Sequence, residues 1–181
     1  PGATDEELLQ NSLTMTATAQ LVNDQLDVQV ILTNDQTGHM VPTDSPLRHL
    51  ILTVEASEVG GSPLSLLNGP LLPEWCGEGD PAHGYYAGLP GTAYAKILQE
   101  AWTNVFPTGA YWNQVILRSD NRLGPFESDT TRYTFSAPAG DSFEVDVNLW
   151  YRRAFIELMD WKSWDDADIL MESAQIIIPA P

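Results

Sequence analysis

The chain has 181 residues and an apolar share of 43%, with 25 acidic residues against 8 basic and a formal net charge of −17 at pH 7. The apolar content excludes a disordered tail, and the charge argues against nucleic acid or an anionic membrane as partner. No 18-residue apolar run is present, which excludes membrane insertion by a helix, and a lone cysteine, Cys76, with no CxxCH stretch leaves neither an internal disulfide nor a covalently bound c-type haem.

In chain order, Leu13, Met15, Ala17 and Ala19 alternate with polar residues, and Leu26, Val28, Val30 and Leu32 do the same. The "VNDQ" between them predicts a hairpin turn. A third strand carries Leu50, Leu52 and Val54 on one face and stops at "EVGGSP". Residues 60–113 then break the rhythm. This stretch is dense in Gly and Pro and predicts a long, ordered excursion. One short helix is expected inside it, "TAYAKILQEAW", with Tyr94, Ile97, Leu98 and Trp102 on a shared face. Strands resume in "YWNQVILRSDNR", "TTRYTFSAP" and "DSFEVDVNLWYRRAF", the last with Phe143, Val145, Val147 and Leu149 pointing one way. "IELMDWKSWDDAD" predicts a short helix or capped turn, and "ILMESAQIIIP" a final strand. About seven strands joined by polar turns predict an all-β fold, an antiparallel β-sandwich of immunoglobulin or fibronectin type. It would occupy residues 1–181 as a single domain, Ig-like in architecture only, since no Cys…Trp…Cys spacing is present.

His39, Met40 and His49 are soft-ligand types suited to copper or haem iron. Their spacing matches no recognised metal signature, and Gly38 and Pro42 bracket His39 as they would in a rigid turn. Cys76 and His83 could form a nucleophile and base, but no third orienting group is legible, and a lone Cys more commonly packs as a small apolar side chain. Asp and Asn clusters at "VNDQLD", "TND", "RSDNR", "ESD" and "DWKSWDDAD" offer hard oxygen ligands, which makes calcium a candidate cofactor. Solvated, Asx-capped turns are the plainer reading. Of the adjacent Arg152 and Arg153, only one can be buried on a strand, and it is expected to pair with Glu157 or Asp160. Trp75, Tyr85, Tyr86, Trp102 and Trp112 fall in the aromatic-rich excursion. They would form either a sugar- or partner-binding surface or a small core that holds the loop down.

Three segments together carry a resemblance. "TGHMVPTDSPLRHLIL", "YYAGLPGTAYAKIL" and "SDNRLGPFESDTTRYTFSAP…LWYRRAFIELMDWKSWDDADILME" resemble, in that order, the C-terminal haem-free domains of bacterial multihaem c-type cytochromes. The likeness runs from about residue 20 to residue 175. One departure is Asp44, where those domains carry Gly; if that position needs a left-handed backbone, Asp suits it less well than Gly.

The resemblance implies a periplasmic or extracellular electron-transfer setting and a non-catalytic module that covers haems, spaces subunits or builds an assembly. It also implies contact with the haem of a partner chain, with His39 a candidate axial ligand in trans. The partner would be a multihaem c-type cytochrome or another assembly subunit. A start at Pro1 looks processed, or cut from something longer. Alternatives from other classes are a carbohydrate- or surface-binding module and a small His/Met metal-binding protein. A homo-oligomer built by N-terminal strand exchange is a further one.

Overall fold

The computed structural model describes residues 6–138 and 142–180. Among these described residues, two short helices, α1 (Glu6–Gln10) and α2 (Ile156–Lys162), accompany nine strands: β1 (Thr14–Val22), β2 (Gln25–Thr33), β3 (His49–Glu58), β4 (Leu66–Asn68), β5 (Gly91–Glu100), β6 (Val115–Asp120), β7 (Ser128–Ser136), β8 (Phe143–Arg152) and β9 (Ile169–Ile178). Of the N-terminal segment considered for strand exchange, residues 3–19, the first three lie outside the described residues. The rest of that segment forms α1 and most of β1, and β1 pairs along its full length with β2 of its own chain.

The expected β1–β2 hairpin forms. Asn23 and Asp24 sit at φ 50° and 59°, the paired left-handed geometry that matches a two-residue turn to strand twist. The antiparallel strands lie in two sheets, ordered β1-β2-β7-β4 and β6-β5-β3-β8-β9. With the strands lettered in immunoglobulin fashion, these are the A-B-E-D and C″-C′-C-F-G sheets of a variable-type sandwich. The difference is that β4, in the D position, comes before the C′ and C″ strands in sequence.

The core lies between the sheets, where the predicted alternation holds. Leu26, Val28, Val30 and Leu32 face Leu50, Leu52, Val54, Val145, Val147 and Leu149, all buried. Each such side chain contributes roughly 1.5–3 kcal/mol of burial.

Residues 60–113 are not the excursion the sequence predicts, for they supply β4 to one sheet and β5 to the other. The expected helix at "TAYAKILQEAW" is β5. Its Tyr94 faces the sandwich interior, while Ala93, Ala95 and Ile97 face a second core on the outside of the five-stranded sheet. A strand buried on both faces shows no clean two-residue period, and a short apolar run of that kind mimics a helix. Residues 69–90 fold over the outer face as a third layer, turning through two 3-10 segments, Glu74–Cys76 and Pro81–His83. Their approach is close at Gly91, where a Cβ would stand 2.2 Å from the Leu52 carbonyl oxygen and 2.9 Å from Leu72 Cγ.

Candidate functional site

The turn between β2 and β3 is organised by Asn34, which is fully buried. Its Nδ2 donates to the carbonyls of His39 (2.8 Å) and Leu123 (3.1 Å), and its Oδ1 accepts from Thr37 Oγ1 (2.6 Å). Main-chain hydrogen bonds between Val41 and Leu123 pin the far side of the turn. Asp44 adopts φ 70°, so the position takes the left-handed backbone that Gly would suit better, and its carboxylate lies 3.1 Å from Arg48 Nη1.

His39 is exposed on this turn, with Nδ1 3.0 Å from the Met40 carbonyl oxygen. A carbonyl there fixes the tautomer in which Nδ1–H donates, and Nε2 keeps its lone pair. Beside the imidazole runs a groove of about 480 Å³ lined by Leu9, Val41, Pro42, Arg48 and Tyr151 among others. The groove is mostly apolar, with one guanidinium at its side.

His49 does not join His39 and Met40. It lies on the outer face of β3, fully buried, stacked on Phe155 (4.8 Å between centroids) and edge-on to Trp75 (5.5 Å). Its Nδ1 is 3.0 Å from the Leu47 carbonyl oxygen, and its Nε2 has no hydrogen-bond partner. Burial lowers its pKa to about 3. The imidazole therefore stays neutral, and the three-residue ligand set expected from the sequence is not assembled.

Arg152 is the buried member of the Arg pair, as strand geometry requires, but its partners differ from those expected. Its Nε and Nη2 donate to both oxygens of Asp168 (2.7 and 2.6 Å), Nη1 donates to the Cys76 carbonyl (3.1 Å), and Nη2 donates to the Gly84 carbonyl (2.5 Å). Arg153 pairs with Asp166. Glu157 and Asp160 are displaced because α2 starts at Ile156 and carries them away from β8, while residues 163–168 fold back along it. Asp160 instead accepts from the Tyr85 hydroxyl (2.8 Å).

Arg152 thus clamps the outer layer at two points, Cys76 and Gly84, to the end of β8. The Cys76 side chain is buried on the inner side of that layer, and burial raises its thiol pKa to about 12. His83 is exposed and lies 3.3 Å from an Asp80 carboxylate oxygen. No nucleophile–base pair exists between Cys76 and His83.

The aromatic residues divide into two groups. Trp75 and Tyr86 belong to the outer core, with Tyr86 stacked on Trp150 at 6.4 Å. Trp102 and Trp112 are 82% and 73% exposed, and Tyr111 beside them 89%. These three project from the hairpin connecting β5 to β6, and sequence reading overlooked how far this hairpin stands out. "AYWN", with two adjacent rings between small and polar residues and no alternation, was the available signal. Asn34 was also missed, because a buried Asn at a strand end reads as an ordinary turn residue. Of the acidic clusters, "TND" is used internally, since Asp35 accepts from Thr14 Oγ1. Among the described residues, no three His, Cys, Asp or Glu side chains converge as a metal site would require. Nor is any helix among them long and apolar enough to cross a membrane.

No family model and no curated protein matches this chain. Among solved structures, a penta-heme cytochrome c552 from Thermochromatium tepidum matches with a TM-score of 0.69 and 20% identity over 96% of this chain. The match takes in 41% of that protein, so the chain spans less than half of its length. A collagen-binding domain from a Staphylococcus aureus adhesin aligns over 91% of this chain and 96% of its own, at 8% identity and a TM-score of 0.33, too low to carry an argument. At such identities the likeness concerns the fold alone.

Proposed function

We propose that this chain is a non-catalytic β-sandwich module that packs against the haem-bearing polypeptide of an extracytoplasmic multihaem c-type cytochrome, with the His39 turn as its haem-facing side. The observation that carries the reading is the imidazole of His39. Its Nδ1 is engaged by the Met40 carbonyl, the arrangement that presents Nε2 as a ligand in metal-bound histidines. The adjoining groove is apolar enough to take the edge of a porphyrin, and Arg48 stands at its side for a propionate. The family resemblance in three sequence segments supports the same reading, and so does the fold shared with part of a penta-heme cytochrome. The chain would supply no haem of its own, because its single cysteine sits buried. A small copper protein is less well supported, since His49 is shut away from His39 and Met40. A sugar platform is also less well supported, since Tyr111 and Trp112 meet at 78° and present no common flat face.

The test is a titration of the chain with a haem c peptide whose sixth coordination position is open. The expected outcome is a saturable shift of the Soret band to that of a low-spin haem with a nitrogen ligand. It should disappear in His39→Ala and persist in His49→Phe. A wild-type protein that leaves the spectrum unchanged at millimolar concentration, or a His39→Ala variant that shifts it equally, would overturn the assignment.

A further inference from the structure

The hairpin that joins β5 to β6 stands apart from the rest of the surface. Trp102, Val105, Phe106, Tyr111 and Trp112 lie on it, with Ile116 and Leu117 at the start of β6, and all are exposed large hydrophobics. At 150–250 Å² per aromatic side chain, the three most exposed rings, Trp102, Tyr111 and Trp112, present roughly 500 Å². That lies in the upper part of the range for the largest apolar patch of an ordinary monomer, about 300–600 Å² and often functional, and is over half of what one partner contributes to a standard interface, about 800 Å².

Charge identifies the occupant. Two copies of a chain with net charge −17 repel one another wherever carboxylates face carboxylates. Residues 96–122 hold three of the eight basic residues, Lys96, Arg118 and Arg122, and two of the 25 acidic ones, Glu100 and Asp120. Both acids are engaged internally. Glu100 accepts from Thr103 and Thr108, and Asp120 is held by Arg122. Arg118 lies over the Phe106 ring, 3.6 Å from its centroid, and donates to Gln99 Oε1. A basic partner would be drawn to the rest of the surface and turned away here, whereas a second copy meets no opposing carboxylate field. We infer that two copies of this chain associate in a two-fold arrangement through this aromatic hairpin. The pairing of β5 with β6 breaks register around Arg118. Such a bulge interrupts the free edge of the sheet, so side chains rather than a shared strand ladder make the contact.

The test is sedimentation equilibrium of the full chain from low to several hundred micromolar, at low and high salt. The wild type should dimerise with a Kd in the ~micromolar range typical of the weaker standard interfaces. Added salt should leave the dimer intact or tighten it, because it screens the remaining like charge. Trp112→Ser, and separately Trp102→Ser, should weaken dimerisation at least a hundredfold while the far-ultraviolet spectrum and melting curve stay those of the wild type, since both rings are solvent-exposed. Trp161→Ser, which removes an equally exposed ring from α2, should leave the dimer unchanged. A wild type that is monomeric throughout overturns the inference. So does a dimer that survives both hairpin substitutions, or one that dissociates only with Trp161→Ser. Haem-peptide binding by the monomeric variants separates this outcome from that of the proposed function.

Discussion

Removing Arg152 should open the outer layer of the sheet before the sandwich itself unfolds. The side chain is 2% exposed and its partner Asp168 only 12%. Arg152→Ala therefore leaves a carboxylate nearly buried without its counter-ion, and removes the donors to the Cys76 and Gly84 carbonyls. Breaking one side of such a pair costs about 3–5 kcal/mol. Residues 76 and 84 both lie in the covering layer, so most of that cost should appear as easier local opening.

Cys76 is the only thiol, its side chain is fully buried on the inner side of that layer, and its pKa is about 12. It is inert until the layer lifts, which makes its labelling by an aromatic disulfide a direct report of opening. At 1.4 kcal/mol per decade, the labelling rate should rise roughly a hundred- to several-thousandfold. The midpoint of global urea unfolding should fall by a smaller share. Arg152→Lys, which keeps a charge but not the fork, should fall in between. Arg152→Met with Asp168→Leu should label more slowly than Arg152→Met alone, because no orphaned charge remains. A folded Arg152→Ala protein that labels within fivefold of the wild type would refute the clamp.

Other outcomes follow from the same geometry. Asn34→Ala removes donors from two carbonyls at a fully buried site and should cost about 2–4 kcal/mol in urea denaturation; haem-peptide binding should weaken with it, because the His39 loop loses its anchor. Burial holds the folded pKa of His49 at about 3, against an ordinary value of 6.5. Between those values the unfolded chain binds a proton that the folded chain does not, so stability falls as pH drops through that window, by up to about 1.4 kcal/mol per pH unit. His49→Phe should remove that component, and urea midpoints at pH 7, 6 and 5 should then decline less steeply than in the wild type. Gly91→Ala forces a Cβ to within 2.2 Å of the Leu52 carbonyl and should destabilise by about 3 kcal/mol, through separation of β5 from β3; a melting temperature equal to wild type would contradict the packing described.

The sandwich was legible wherever one face of a strand meets the core and the other meets water. β2 and β8 state their register outright, since Leu26, Val28, Val30 and Leu32, like Phe143, Val145, Val147 and Leu149, alternate with polar residues and all face inward. The reading failed at β5, where both faces are covered and Ala93, Tyr94 and Ala95 are consecutively buried. It failed again for the salt bridges. Glu157 and Asp160 are near Arg152 in sequence, but the true partner, Asp168, arrives only because residues 163–168 double back. Long-range pairing of that kind leaves no local pattern. The His39 turn was legible as a turn, but the left-handed backbone at Asp44 was not, since Asp stands there in place of the Gly that would signal it. Its buried anchor Asn34 was not, because burial of a polar side chain depends on Leu123, 89 residues away.

The groove beside His39 and the aromatic hairpin are not independent features of the surface. Leu47, one residue from Arg48 at the groove, packs against the base of the hairpin, where a Cβ on Gly109 would lie 2.6 Å from Leu47 Cδ2. Thr108 and Ala110 on either side are buried, so this base is fixed and only the ring-bearing end projects. A two-fold contact through the hairpin would therefore hold two His39 turns at a set separation. Docking onto one haem chain would then place a second, identical face for another. The arrangement has a measurable consequence. Trp112→Ser should leave the haem-peptide affinity per copy unchanged, since the groove is intact, while it abolishes any complex containing two copies of this chain. A loss of affinity per copy in that variant would instead show that the hairpin is part of the haem-facing surface, and the two features would have to be read as one.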